Sequence, residues 1–370
     1  MSEPFEAEVR GTPMPAAADK LAAYFEELEA RDRFSGVVLL MNRDRELFAG
    51  AYGYASRPWG VRNHLRMRFD TASIAKLFTS VAVLQQVDQG RLSLQTRAVD
   101  CLGLEGTAIS PDVQVHHLLT HTSGIADDAE EESGEEYADL WIAKPNYAVT
   151  EAIHFLPQFV HKPPNFAPGA GCRYCNCGYV LLGLMVEKAS GLGYRDYVRR
   201  RIFAPAGMEH SGFFHLAEVH PDVAEGADPI CDETGTIVKW RKSIYSYPPL
   251  GTPDGGGQAT AGDLDRFLRA VRDGRLLSPQ STRYFLTPQT VHGDRETWKK
   301  MYGPALWFYV ENDGTVLFYE KEGENAGGSG MIRHYPGRDV SLVLLCNMRD
   351  AAWNPARQIH EMLLAGEFDR

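Results

Sequence analysis

Ser73 and Lys76 stand three residues apart in the stretch Phe69-Asp70-Thr71-Ala72-Ser73-Ile74-Ala75-Lys76-Leu77-Phe78. On a helix, residues i and i+3 share a face, so this spacing sets an amine beside a hydroxyl. A serine alone is a poor nucleophile at neutral pH, and a neighbouring base that takes its proton lets it attack a carbonyl and form an acyl-serine. A second constellation, Tyr174-Cys175-Asn176, is the only Tyr-x-Asn in the chain and follows the turn signal Phe166-Ala167-Pro168-Gly169. A phenol carries protons when an ammonium beside it favours the phenolate, and a buried lysine does so by losing its own proton. Ser73, Lys76 and Tyr174 are therefore the candidate catalytic residues, with the resting base open between Lys76 and Tyr174.

Each residue also has a plainer reading. Ser73 could cap a helix, Lys76 could snorkel to the surface, Tyr174 could be packing at a boundary and Asn176 a turn former. The chain contains no Gly-x-Ser-x-Gly elbow and no His-Glu-x-x-His, so a Ser-His-Asp hydrolase or a zinc protease has little support.

The elements that must position these groups can be read from periodicity. Residues 1–14 carry Gly11, Pro13 and few apolar anchors and read as a flexible arm. Leu21, Tyr24, Phe25 and Leu28 follow the spacing of an amphipathic helix. Gly36 to Met41 and Leu47 to Tyr54 read as hairpin-linked strands. Ser73 is expected to open a helix carrying Leu77, Phe78, Val81, Leu84 and Val87 and ending before Gly90. Helical patches and long Gly/Pro-rich loops then run to about residue 300. Strands return at Ala305 to Val310, Val316 to Glu320, Gly330 to His334 and Val340 to Cys346, followed by a helix around Ile359 to Leu364. The expectation is an α+β protein in which residues 15–70 and 301–370 form one sheet domain with N- and C-terminal helices. Residues 71–300 form an inserted, mainly helical domain, and the cleft between the two is the default site.

With those residues in place, the chain resembles the serine β-lactamase-like superfamily, which includes class C β-lactamases, D-alanyl-D-alanine carboxypeptidases, aminopeptidases acting on D-residues and family VIII carboxylesterases. The likeness rests on Ser73-x-x-Lys76, on Leu118-Leu119-Thr120-His121-Thr122-Ser123-Gly124-Ile125 and on Phe166-x-Pro168-Gly169 leading into Tyr174-Cys175-Asn176-x-Gly178-Tyr179. It continues through Ile202-Phe203-x-Pro205-x-Gly207-Met208 and Gly255-Gly256-Gly257-x-x-Thr260, so it runs from about residue 20 to the C-terminus. The resemblance implies a β-lactamase/transpeptidase-like fold and acyl transfer through Ser73. It also implies that Asn176 hydrogen-bonds the acyl side of the substrate and helps to hold Lys76. His121 belongs to a scaffold motif and reads as a hydrogen-bonded core histidine.

The family's third element, Lys or His two residues before a Gly on a strand lining the cleft, is expected in Gly323-Glu324-Asn325-Ala326-Gly327-Gly328-Ser329-Gly330, where neither Lys nor His is present. In penicillin-recognising members that cation and a hydroxyl bind the substrate carboxylate. Glu324 in its place would repel one. At about 4 Å and an effective dielectric near 20, a unit charge reversal turns about 4 kcal/mol of attraction into as much repulsion. An ester, amide or lactone without that carboxylate is the expected substrate, with a D-peptidase or weak β-lactamase, or a non-catalytic binding protein, as alternatives. Gly327 is the expected donor of an oxyanion-hole amide beside that of Ser73; a hairpin turn is the plainer reading of the glycine cluster.

Composition narrows the partners. A formal charge of −11 over 370 residues argues against nucleic acid and against an anionic membrane surface. No apolar run approaches a membrane span, and Met1-Ser2-Glu3-Pro4-Phe5-Glu6-Ala7-Glu8 lacks the features of a signal peptide, so a cytoplasmic location is expected. Cys172-x-x-Cys175-x-Cys177 lacks a fourth ligand at zinc-like spacing and reads as free thiols. No cofactor or metal is expected, the partner is a small-molecule acyl substrate, and the sequence does not fix an oligomeric state. The acidic run from Asp127 to Asp139 reads as a solvated loop, or else as a rim that repels anions.

Overall fold

The structure, a computed structural model, describes residues 16–369; the expected arm over 1–14 lies outside the described residues. Eight antiparallel strands make one sheet: β1 (Gly36–Asn42), β2 (Arg45–Tyr52), β3 (Thr290–Asp294), β4 (Trp298–Tyr302), β5 (Trp307–Glu311), β6 (Val316–Asn325), β7 (Gly328–Tyr335) and β8 (Val340–Cys346). Their order is β2-β1-β8-β7-β6-β5-β4-β3, so both ends of the chain build the sheet. The α+β pattern expected from the sequence is the one the chain adopts. The sheet reaches further than expected, because β3 and β4 begin at Thr290, within the stretch read as helical. β3 is the edge strand and β4 lies next to it, and of the two only Tyr302 is fully buried, so their sequence carries no clean apolar alternation.

The central strand β8 is buried along its whole length, which means both sheet faces are covered. Alternation sorts its side chains. Leu342 and Leu344 join Val38, Leu40 and Phe25 under the terminal helices, α1 (Ala16–Ala30) and the C-terminal helix Trp353–Leu364. Val343 and Leu345 join Val37, Ile74 and Phe78 on the side of the helical region. That region centres on α2 (Lys76–Asp88) and α3 (Asn176–Ser190), which pack against each other. Both are buried nearly all round, enclosed by other elements, and α2 buries the polar Lys76, Thr79, Ser80 and Gln86 with its apolar residues. Helix α4 (Ala261–Arg272) is amphipathic, with Leu264, Phe267, Leu268 and Val271 buried, and Trp353–Leu364 completes the set as α5.

Candidate active site

Ser73 sits where the sheet meets the helical region, in a 3₁₀ turn (Ala72–Ala75) that runs into α2 at Lys76. In a 3₁₀ turn, residues i and i+3 lie over one another. Lys76 Nζ is accordingly 3.0 Å from Ser73 Oγ. The residue before the serine is strained, since Ala72 has φ +42°. Its amide donates to Asp70 Oδ1 at 2.6 Å and its carbonyl accepts from Gly256 at 3.0 Å, which holds the turn. Asp70 is half-buried, and desolvation pushes its carboxyl up to about 6, against the Ala72 and Asn325 hydrogen bonds.

Tyr174 and Asn176 come from the start of α3. Tyr174 Oη is 2.6 Å from Ser73 Oγ, and Lys76 Nζ donates to Asn176 Oδ1 at 2.7 Å and to the Asp254 carbonyl. Ser73, Lys76, Tyr174 and Asn176 are thus brought into one hydrogen-bonded group, and Ser73 does not act as a helix cap. Burial lowers the Lys76 pKa, opposed by Asp254, Glu131 and Asp127; burial raises that of Tyr174 well above its ordinary value, with Glu131 adding to it.

The acidic run is not simply a solvated loop. Asp127 and Asp128 are buried, and Asp127 accepts from the amides of Asn176 (2.7 Å) and Cys177 (2.8 Å) at the start of α3. A carboxylate there satisfies orphan amides and complements the helix dipole. The loop is tied to the segment that leads into α3 by Glu130 to Arg173 (2.8 Å) and by Glu132, which accepts from the Tyr174 amide (3.0 Å). His121 is buried, accepts from the Cys175 amide at 3.1 Å and stacks on Tyr174 at 4.8 Å. The cysteines are free, and Cys175 Sγ accepts from Gly178 at the α3 cap.

The third element requires a correction. Gly327 forms the two-residue turn between β6 and β7 with Ala326; its φ is +68° and its amide donates to Asp228 Oδ2 at 2.7 Å, so it offers no amide to Ser73. Glu324 is not a free charge in the cleft, since its carboxylate accepts from Arg349 Nε (2.8 Å) and Trp353 Nε1 (3.1 Å). The element against Ser73 is Lys321-Glu322-Gly323. Gly323 packs so close that a Cβ built there would stand 3.1 Å from the Ser73 nitrogen and closer still to the Thr71 carbonyl. A cation is present after all: Lys321 is buried, with Nζ 5.0 Å from the centre of the Tyr174 ring. Burial and the nearby Lys76 push its pKa down to about 7. The sequence signal was there, a Lys two residues before a Gly, but β6 runs five residues beyond the Glu320 end read from its apolar positions.

An eight-stranded sheet with a helical half, and a serine at their junction bonded to a lysine and a tyrosine, define a serine hydrolase that works through an acyl-serine. The chain belongs to the Beta-lactamase family, whose match covers residues 21–367. It is 30% identical over 335 residues to penicillin-binding protein 4 of Amycolatopsis lactamdurans, covering 87% of this chain and 83% of that one. It is 29% identical over 276 residues to esterase EstB of Burkholderia gladioli, covering 69% and 70%. The solved penicillin-binding protein from Bacillus halodurans superposes with a TM-score of 0.84 at 34% identity, over 92% of this chain and 99% of the other. Among the described residues no helix is long and apolar enough to cross a membrane.

Proposed function

We propose that the chain hydrolyses a carboxylic ester or a related acyl substrate, with Ser73 as nucleophile, Lys76 as resting base and Tyr174 as proton carrier. The observation that carries this reading is the contact of Ser73 Oγ with both Lys76 Nζ (3.0 Å) and Tyr174 Oη (2.6 Å). A neutral amine has two N–H donors and one lone pair. Lys76 has two acceptors, Asn176 Oδ1 and the Asp254 carbonyl, and one hydroxyl, Ser73, that can donate to it. Burial favours that neutral form and disfavours a Tyr174 phenolate, so the pair divides into an amine base and a phenol acid.

In acylation, Ser73 Oγ bonds to the carbonyl carbon while its proton passes to Lys76. The bond to the leaving group breaks, and Tyr174 protonates the departing atom and is reprotonated from Lys76. Water then attacks the acyl-serine by the reverse path, releasing acid and free Ser73. The amides of Ser73 and of the Gly323–Glu324 stretch, rather than that of Gly327, are the candidates for the oxyanion.

Lys321 favours a second reading, a D-peptidase or weak β-lactamase, because its ammonium could bind a substrate carboxylate. Glu322, beside it where penicillin-recognising relatives carry a hydroxyl, weighs against that and keeps the ester first. The test is intact-mass analysis after a fluorophosphonate, with wild type beside Ser73→Ala, together with hydrolysis of p-nitrophenyl esters and a chromogenic cephalosporin. An adduct on wild type alone with ester turnover is expected; faster cephalosporin turnover would favour the second reading. Neither adduct nor turnover would leave a binding protein of hydrolase fold.

A further inference from the structure

Ser73 borders two cavities of very different size. One, of about 630 Å³, is lined by Tyr174, Trp307, Lys321 and Arg349. The other, of about 30 Å³, is lined by Asn176, Leu216, Tyr247, Pro249 and Leu250. Ser73 lines both, whereas Tyr174 lines only the large one.

Tyr174 therefore decides which half of a substrate goes where. Its hydroxyl, 2.6 Å from Ser73 Oγ, is the group that protonates the departing alcohol, so the alcohol half belongs on the Tyr174 side. The acyl carbon bonded to Ser73 then directs its chain the other way, into the small cavity that Asn176 lines. One water-sized group takes ~10–15 Å³ of such space, so about two fit. An acetyl or propionyl chain is accommodated. A hexanoyl chain, four methylenes longer than acetyl, is not.

The small cavity is also poorly placed to widen. Pro248 and Pro249 fix the backbone of its lining segment, the Leu216 amide donates to the Pro249 carbonyl at 2.9 Å, and Asn146 Nδ2 donates to the Tyr247 carbonyl at 2.7 Å. Asn325 and Asp70, which line it as well, are joined by a hydrogen bond of 3.2 Å. Forcing a longer chain among groups held in this way overpacks them.

We propose that the chain hydrolyses esters of short acids, acetyl or propionyl, with bulky alcohols, the small acyl half in the narrow cavity and the large alcohol half in the wide one. The proposal rests on the reading of Ser73 as nucleophile and Tyr174 as proton carrier. The bond from Ser73 Oγ to the acyl carbon forms, the bond from that carbon to the alcohol oxygen breaks, and the oxygen leaves with the Tyr174 proton; water then releases the short acid. A peptide acyl group, which a D-peptidase requires, has no room on that side.

The experiment compares two isomeric esters that carry the same bulk on opposite sides, 2-phenylethyl acetate and ethyl phenylacetate. The expected result is at least a tenfold higher kcat/KM for 2-phenylethyl acetate, and at least a tenfold fall from p-nitrophenyl acetate to p-nitrophenyl hexanoate. Widening the small cavity with Leu216→Ala/Leu250→Ala should bring both ratios towards one by raising the rates of the larger acyl groups. Equal or reversed rates for the isomers, or a chain-length series flat from acetate to hexanoate, would overturn the proposal with the wild-type protein alone. So would ratios unchanged in a double variant that still hydrolyses p-nitrophenyl acetate. Failure of the Ser73 reading shows itself separately, as absence of a fluorophosphonate adduct.

Discussion

Two buried lysines flank Ser73, and they are held in opposite ways. Lys76 on the helical wall is surrounded by Ser73 Oγ, Asn176 Oδ1 and the Asp254 carbonyl. Lys321 on the strand wall lies over the face of the Tyr174 ring and has no hydrogen-bond acceptor among the described residues. Burial lowers the pKa of both. In the proposed mechanism the satisfied lysine belongs to the resting machinery, whereas the unsatisfied one has its interaction still to make. The two walls differ likewise in backbone: a strained turn holds Ser73, and a plain strand edge approaches it through Gly323.

Breaking the helical wall is expected to do most. Ser73→Ala should abolish covalent labelling and lower ester hydrolysis by about 10³-fold or more with an unchanged circular dichroism spectrum. Tyr174→Phe should follow, with kcat down by about 10²–10⁴-fold, the range for a lost general acid, while KM moves little. A Tyr174→Phe enzyme at wild-type rate would remove the phenol from the mechanism.

The strand wall gives smaller and more diagnostic effects. Gly323→Ala must push β6 away from Ser73 and should cost kcat about 10²-fold, since small misplacement is expensive. Gly327→Ala should leave kcat within about twofold while costing about 2–5 kcal/mol of stability, because its Cβ would sit at positive φ and stand 2.5 Å from Ser243 Oγ and 2.8 Å from the Gly226 carbonyl carbon. Comparable losses in kcat from the two would restore Gly327 to the oxyanion site. Lys321 should also make stability depend on pH. Its folded pKa of about 7 lies below the unfolded 10.5, so the unfolded state binds more protons between those values and stability should rise across that window. The gain, of order 1 to a few kcal/mol, should be absent in Lys321→Met when urea midpoints at pH 7 and pH 10 are compared.

What the sequence disclosed follows where the physics is local. The apolar run Val340–Cys346 is a strand with the bounds its composition announces, and the Ser73–Lys76 spacing survives whether the turn is α or 3₁₀. What it hid depends on tertiary context. The strands Thr290–Asp294, at the sheet edge, and Trp298–Tyr302, next to it, pair because a neighbour offers an edge, not because their own pattern demands it. Asp127 is buried because α3 needs its amides capped, and nothing in a run of acids marks one of them for burial. Lys321 was missed because the alternation of β6 passes from apolar to charged residues at Glu320 while the strand itself continues.

The pairing of β1 with β8 has a consequence for biosynthesis. Gly36–Asn42 meets its partner Val340–Cys346 only after roughly 300 intervening residues have been made, and contacts that distant in sequence form late. Ser73 and Lys76 leave the ribosome early, while Lys321 and Gly323 arrive near the end. A growing chain would therefore carry the proposed nucleophile without the strand wall that completes the cleft, and the acyl chemistry proposed for it would begin only when translation of the last strands is done.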